Sequence, residues 1–234
     1  MLANDRKKII LAELHSKGSV TIDDLCDLTD ASVSTLRRDL NELEELGRLI
    51  RVHGGAEPIS SIPKEPSIYE KNSINVREKL EIANIAVTKV NEGDVIFLDA
   101  GTTTGMMIEG LLGLEKSFTV VTNSATHASK LISDKITVYI IGGIIKKLTD
   151  AVVGSYAIQQ ISQFNFTKAF IGANAISAGN ISTPDIEEAN IKRTACEQSA
   201  QTYILADKSK FNQVSFVTFA KIADVEIITN TNKE

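Results

Sequence analysis

Apolar residues recur at intervals of three and four along the first part of the chain, and in short unbroken runs along the rest. The first pattern predicts helices and the second predicts strands. Ile10, Leu11 and Leu14 mark the inner face of a helix ending at Gly18, and Thr21 to Asp24 has capping-box-like spacing ahead of Leu25 and Leu28. Ser32 can cap a third helix, whose Val33, Leu36, Leu40, Leu43 and Leu46 predict one continuous buried stripe. The stretch "RLIRVHGGA" then predicts a strand with Ile50 and Val52 on one face, turned by Gly54 and Gly55. Three helices and a hairpin make a winged helix-turn-helix over residues 1–57.

Three of the four prolines, Pro58, Pro63 and Pro66, fall where the apolar period stops, which predicts a linker over residues 58–74. Beyond it, over 75–234, six apolar runs at 95–104, 119–124, 137–143, 169–174, 202–211 and 225–230 alternate with mostly helix-length segments. Such alternation predicts an α/β domain with a largely parallel sheet covered by helices. Each run ends in small or polar residues. Ligands of open α/β sheets bind beyond the carboxyl ends of the strands, so Asp99, Gly101, Thr122, Asn123, Gly142, Gly143, Gly172 and Asp207 are expected to converge on one cleft.

Composition narrows the class. A chain of 234 residues with 43% hydrophobic residues is long enough for two domains, each with its own core. Cys26 and Cys196 are far apart and in no CxxC pair, so neither a disulfide framework nor a zinc site has its ligands, and both are expected to be buried or half-buried thiols. No cofactor or metal is expected. No stretch approaches the roughly 18 apolar residues of a membrane span, and a cytoplasmic protein is expected.

The formal net charge is −5, and within residues 1–57 eight Lys and Arg stand against eleven Asp and Glu, a net of −3. Any binding of DNA must therefore depend on a local basic face rather than on overall charge. At about 100° per residue, Ser34 and Arg38 point almost opposite the leucine stripe, with Thr35 and Arg37 on its flanks. Arg38 is the best-placed base reader, since Arg can offer guanine two parallel hydrogen bonds. Arg37, Arg48 and Arg51 suit phosphates, and Ser32, His53 and Gly54 complete the expected contact surface. The competing reading is that Arg37 and Arg38 merely pair with Asn41 and Glu42 four residues on.

In the second half, Gly101, Thr102, Thr103 and Thr104 lead from a strand into a helical segment, where backbone N–H groups and hydroxyls could cradle an anion. A Walker lysine is lacking, which argues against an NTPase P-loop. Lys210 could neutralise the same anion, with Lys208 its rival, and Asp207 could accept from sugar hydroxyls. In "STPDIEEANIK", Thr183 can cap a helix, Pro184 suits its first position, and Asp185, Glu187 and Glu188 suit its positive end. This helix either serves only as a capped element or carries Lys192 toward the ligand. His53 and His127 lack partners at metal-ligand or nucleophile spacing and are expected to be surface or packing residues, with His53 also within reach of a phosphate from the wing.

The N-terminal stretch resembles the DeoR family of bacterial transcription regulators. The residues that carry this are Arg6, Ile10 and Leu14, then Ser32, Thr35, Leu36, Arg37, Arg38, Asp39, Leu40 and Leu43, and then "RVHGGA". "REKLEIA", "FLDAGTTT", "VVTNS", "IIGG", "VVGSYA", "AFIGAN" and "LADKSKF" extend the likeness over nearly the whole chain. Ala175 and Asn212 stand where the family often has glycine. The resemblance implies a repressor, released by a phosphorylated sugar that binds a C-terminal domain similar to ribose-5-phosphate isomerase. It also implies operator double-stranded DNA as partner and a homodimer or homotetramer as the binding form. "GGIIKKLTDAVVG" and "GANAISAGNISTPDIEEANIK" look most like fructose-operon repressors, which implies fructose 1-phosphate as effector. Two other classes stay open on the residues alone: a sugar-phosphate isomerase using Asp99 and Asp207, and an architectural DNA-binding module.

Overall fold

The computed structural model of the chain describes residues 2–52, 54–57 and 66–230. The N-terminal part opens with α1 (Ala3–Lys17), which stops where Gly18 turns left-handed and donates to Leu14 O. A two-residue strand β1 (Val20–Thr21) leads into α2 (Ile22–Thr29). There the expected box is present: Thr21 accepts from the Asp24 N–H, and Asp24 accepts from Thr21 in return. Replacing such a cap by alanine costs about 1 kcal/mol, so Thr21→Ala should lower the urea midpoint while leaving the slope of the transition unchanged.

Helix α3 (Val33–Glu45) is capped by Ser32, and the wing is the pair β2 (Ile50–Val52) and β3 (Gly55–Glu57). The wing sheet has three strands in the order β1-β3-β2, with Val20 opposite Ala56. This third strand was not expected, and it explains the second glycine of the turn. A Cβ on Gly55 would lie 2.0 Å from the Val20 carbonyl oxygen, so only glycine lets β3 approach β1.

Leu36, Leu40 and Leu43 are buried against Ile10, Leu14, Leu25 and Leu49, but the predicted stripe is shorter than its apolar period. Val33 is 41% and Leu46 68% exposed, because the two ends of α3 overhang the small core. Leu28 and Val52 are exposed and Ile50 only half-buried; Leu49 and Ala56 fill the space under the wing instead.

The second part begins with α4 (Ile68–Ser73), a short helix with its own capping box from Ser67 and Glu70, inside the stretch expected to be linker. Then follow α5 (Val76–Val87), β4 (Val95–Leu98), α6 (Thr102–Gly105), α7 (Met107–Leu112), β5 (Phe118–Thr122), α8 (Ala125–Lys130) and β6 (Ile136–Ile140). A hairpin, β7 (Ile144–Ile145) and β8 (Val152–Val153), precedes α9 (Ser155–Ile161) and β9 (Phe166–Gly172). Beyond these come β10 (Ala175–Ser177), β11 (Asn180–Thr183), α10 (Ile186–Glu197), β12 (Ser199–Leu205), β13 (Val217–Lys221) and β14 (Glu226–Ile228).

The six expected runs form one six-stranded sheet in the order β14-β12-β9-β4-β5-β6, and every neighbouring pair in it is parallel. Alternate side chains enter opposite cores, as a pleated strand requires. Phe97, Val121, Ala169, Ile171 and Ile204 face the core under α9 and α10. Ile96, Leu98, Val120, Phe170 and Leu205 face the one under α5 and α7. A small antiparallel sheet, β10-β11-β13, sits beside the main one.

Helix α10 is capped by Asp185, which accepts from the Glu188 N–H, and not by Thr183. Thr183 is the last residue of β11, paired with Val217, and its hydroxyl is spent on Asn174. Asn212 adopts φ 57°, the left-handed region that Asn tolerates better than most residues, which accounts for its standing at a glycine position. Among the described residues no helix is long and apolar enough to cross a membrane.

Candidate functional site

From β4 the chain adds β5 and β6 on one side of the sheet, then crosses to add β9, β12 and β14 on the other. The strand order therefore reverses between β4 and β9, and the loops beyond their carboxyl ends diverge to open a crevice. Asp99 follows β4, and Gly172 ends β9. The Gly172 N–H donates to Asp99 Oδ2 at 3.0 Å. Lys192, delivered by α10, donates to the same oxygen at 2.5 Å and to the Gly172 carbonyl at 3.0 Å. Asp99 is 3% and Lys192 6% exposed, so the floor of the crevice is a buried ion pair.

The loop above this floor is fixed from beneath. Thr104 donates its hydroxyl to the carbonyls of Asp99 and Gly101 at 2.6 and 2.7 Å, and Asn123 Oδ1 accepts from the Ala100 N–H at 3.0 Å. A Cβ on Gly101 would sit 3.6 Å from Asp99 Oδ2 and 3.9 Å from the Gly172 Cα, so both loops close in without side chains between them. His127 packs under Gly105, with burial pushing its pKa down, which suits a neutral packing residue.

The cleft encloses about 80 Å³ beneath a mouth open to solvent. Asp99, Gly101, Thr102, Thr103, Gly172, Lys192 and Lys210 line it, as expected from the sequence. Lys210 lines it, and Lys208 is not among its lining residues. Thr104, Thr122, Asn123, Gly142, Gly143 and Asp207 are not lining residues. Thr104 and Asn123 brace the loop, and Thr122 accepts from the Ser124 N–H. Gly142 is held by Gln160, Gly143 packs on the β8 backbone, and Asp207 caps the turn at Ser209 while accepting from Asn75. The expected convergence fails there because only neighbouring strand ends at the reversal share a crevice.

Five lining residues that carry charge or hydrogen bonds were missed: Lys71, Lys79, Thr149, Asn174 and Glu188. Lys79 lies on the buried face of α5 with Ile82, Ala83 and Ala86, and its ammonium donates to the Lys71 carbonyl. Burial, with Lys210 and Lys71 nearby, holds its pKa below the usual lysine value against the opposing pull of Asp207. Thr149 donates to Glu188 at 2.7 Å on the opposite wall, and Lys146 pairs with Asp185 beside it. Helix α6 has only four residues; the cations that line this cleft are Lys71, Lys79, Lys192 and Lys210. Among the described residues no cluster of His, Cys, Asp and Glu could hold a metal. Cys26 and Cys196 are both half-buried and free, and burial pushes the Cys196 thiol up to about 12.

On the other part of the molecule, Ser32, Ser34, Arg37, Arg38, Arg48 and Gly54 are exposed, and Thr35 is half-buried. His53 lies outside the described residues. Ser32 Oγ, besides capping α3, sits 3.0 Å from Ser34 Oγ and 2.9 Å from Thr35 Oγ1. Arg38 donates to Glu42 at 3.1 Å, so the competing local pair does exist, and Glu42 is also held by Lys7. Arg51, expected to face a phosphate, instead turns back across α3 to Asn41 at 2.5 Å, while its N–H donates to Glu44. Asp39 is buried on the leucine face and accepts two hydrogen bonds from the Arg6 guanidinium of α1. This fork fixes α3 against α1 and leaves the Ser34–Arg38 face outward.

Comparison with known proteins agrees with this division. The DeoR-like helix-turn-helix domain family matches residues 6–62, and the DeoR C-terminal sensor domain family matches residues 74–231. The chain is similar, at 43% identity over all of its length and 93% of the relative's, to FruR of Bacillus subtilis strain 168, described as an uncharacterized helix-turn-helix transcriptional regulator. It is 35% identical to the lactose phosphotransferase system repressor of Staphylococcus epidermidis, over 98% of this chain and 92% of that one. It is also 35% identical to the regulator GlpR of Haloferax volcanii, over 97% and 89%.

Among solved structures, eIF2B delta from Chaetomium thermophilum matches 70% of this chain and 59% of its own at TM-score 0.51 and 18% identity, a likeness of fold alone. Ribose 5-phosphate isomerase A from Methanocaldococcus jannaschii matches 58% of this chain and 55% of its own at TM-score 0.44 and 18% identity. The chain thus spans little more than half the length of either. With both halves matched by sensor and helix-turn-helix families, the chain belongs to the DeoR family of transcriptional regulators.

Proposed function

We propose that this protein represses a sugar-utilisation operon by binding operator DNA through α3 and the wing as a homodimer or homotetramer in the cytoplasm. A phosphorylated sugar, with fructose 1-phosphate the favoured candidate, binds the cleft and releases it. Residues 1–57 carry the operator contacts, and residues 75–234 carry the effector site together with Lys71 of α4 from the joining segment 58–74. The observation that carries the effector half is the placing of Lys71, Lys79, Lys192 and Lys210 around one crevice with Thr102 and Thr103. A dianion gains from several lysines at once, and Asn174, Thr149 and Glu188 supply donors and acceptors for hydroxyls. The names of the relatives, FruR and a lactose phosphotransferase system repressor, support a sugar-linked role.

Release requires that the sugar phosphate favour one conformation, and the coupling is reciprocal: operator DNA weakens effector binding by the factor by which effector weakens operator binding. Fluorescence anisotropy with labelled DNA from upstream of the protein's own gene, titrated with a panel of sugar phosphates, tests both halves. Equal operator affinity with and without every member of the panel would remove the effector reading.

The pH dependence has a definite shape. Affinity rises as the phosphate loses its second proton near pH ~6. It falls again as Lys79 deprotonates, and because the folded pKa of Lys79 is lowered, that limb lies below the ~10.4 of an ordinary lysine. Calorimetry across this range should show the falling limb move upward in Lys79→Arg, whose guanidinium stays charged. A limb unmoved by that change would show that Lys79 does not meet the phosphate.

A further inference from the structure

The two edges of the main sheet are treated differently. Edge strand β14 has three residues, and its Glu226 is paired with Lys89 and bonded to Gln201. Edge strand β6 has five, Ile-Thr-Val-Tyr-Ile, with no charged residue and no proline. Soluble monomers blunt their edges with shortness, charge, proline or cover, since an open edge pairs with other chains. β14 carries the first two of these devices and β6 lacks the first three.

The surface around β6 is also apolar. Tyr139 and Ile140 at its end, Ile144 and Ile145 of β7, and Tyr156 of α9 are each between 50 and 67% exposed. They belong to one continuous surface. Gln160 of α9 accepts from the N–H of Gly142 and donates to its carbonyl where β6 exits, at 3.1 and 3.2 Å. The Tyr139 ring packs on Phe164 just beyond α9, with centroids 6.1 Å apart. A Cβ on Gly154, the residue that opens α9, would lie 3.9 Å from Ile144 Cδ1.

From these observations we infer that the β6 edge, with β7 and α9, is a self-association surface and that its occupant is a second copy of this chain. The five side chains expose the equivalent of nearly three whole ones, on the order of 500 Å². A standard interface buries roughly 800 Å² per partner, of which about 60% is apolar, so the patch supplies the apolar area one such interface needs. A two-fold axis normal to the sheet sets two β6 edges antiparallel, so the same patch meets itself and the assembly closes. An edge carrying no charge raises no like-charge repulsion when it meets its own copy.

The test uses the full chain and needs neither DNA nor sugar. Sedimentation velocity from about 1 to 100 µM gives the mass of the wild type, Ile140→Lys, Tyr156→Glu and, as a control on the far side of the sheet, Leu112→Lys. The expected result is a multimer for the wild type and the control, and a protein of half that mass for both patch variants, with unchanged far-ultraviolet circular dichroism. Hydrogen exchange on the wild type needs no substitution: amides of residues 136–145 and 155–157 should lose protection on dilution below the dissociation midpoint. A monomeric wild type, patch variants that fold and keep the wild-type mass, or exchange in those segments that ignores dilution would each overturn the proposal.

Discussion

Lys192→Met should lower the stability of the effector domain by roughly 3–5 kcal/mol, the cost of removing one partner from a buried ion pair. The side chains of Asp99 and Lys192 are almost wholly enclosed, and the ammonium bridges Asp99 Oδ2 and the Gly172 carbonyl. Methionine keeps the packing volume, including the contact with the Phe219 ring over which the ammonium now sits at 5.8 Å, but leaves a carboxylate facing an apolar neighbour. Since whole domains are stable by only about 5–15 kcal/mol, urea denaturation should show a large drop in midpoint. Asp99→Asn combined with Lys192→Met removes the stranded charge and should recover part of the loss, which a double-mutant cycle reads as coupling. Both forms should also lose response to the sugar phosphate in the anisotropy titration. A midpoint unchanged within about 0.5 kcal/mol, the scatter of ordinary surface substitutions, would mean that the pair does not hold the floor of the cleft.

Arg38→Ala should weaken operator binding by roughly 1–3 kcal/mol per recognition helix and relax base preference at one position in each half-site. Arg38 projects from the outer face of α3 with its side chain 83% exposed, and its bond to Glu42 is a surface i,i+4 contact of the kind that solvent weakens. Exchanging that contact for a base edge is therefore easy. Arg37→Ala and Arg48→Ala should instead weaken all sequences alike and flatten the dependence on salt, as loss of a phosphate contact does. Arg51 must first leave Asn41 to join that group. A competition assay over single-base operator variants separates the two outcomes. If Arg38→Ala leaves both affinity and base preference unchanged, α3 does not enter the groove in the orientation assigned to it.

Glu42 adds a local effect. Its carboxyl is held below the usual range by Lys7 first and Arg38 second. Glu42→Gln frees Arg38 from an acid beside the DNA, so it should tighten operator binding, in the direction opposite to Arg38→Ala.

Much of this architecture was legible in the chain. Six apolar runs became six strands of one parallel sheet, and Thr21, Asp24 and Ser32 cap the helices their spacing assigned to them. The most informative missed signal recurs in several helices. Asp39 falls on the Leu36, Leu40, Leu43 face of α3, Lys79 on the Ile82, Ala83, Ala86 face of α5, and Glu188 and Lys192 on the Ala189, Ile191, Ala195 face of α10. A charge on the apolar face of a helix must meet a partner or a ligand when buried. Asp39 meets Arg6, Lys192 meets Asp99, Glu188 meets Thr149, and Lys79 stands at the cleft.

By itself the sequence determined the local elements, because a helix period, a strand run or a cap is written in residues close together in the chain. Tertiary structure alone decided that β9 lies against β4 instead of β6, which strand ends therefore share the crevice, and that Lys71 and Lys79 arrive there from α4 and α5. It likewise decided that Arg51 turns to Asn41. Strand order is set by crossovers and by hydrogen bonds between residues far apart in the chain, and no short-range period carries that information.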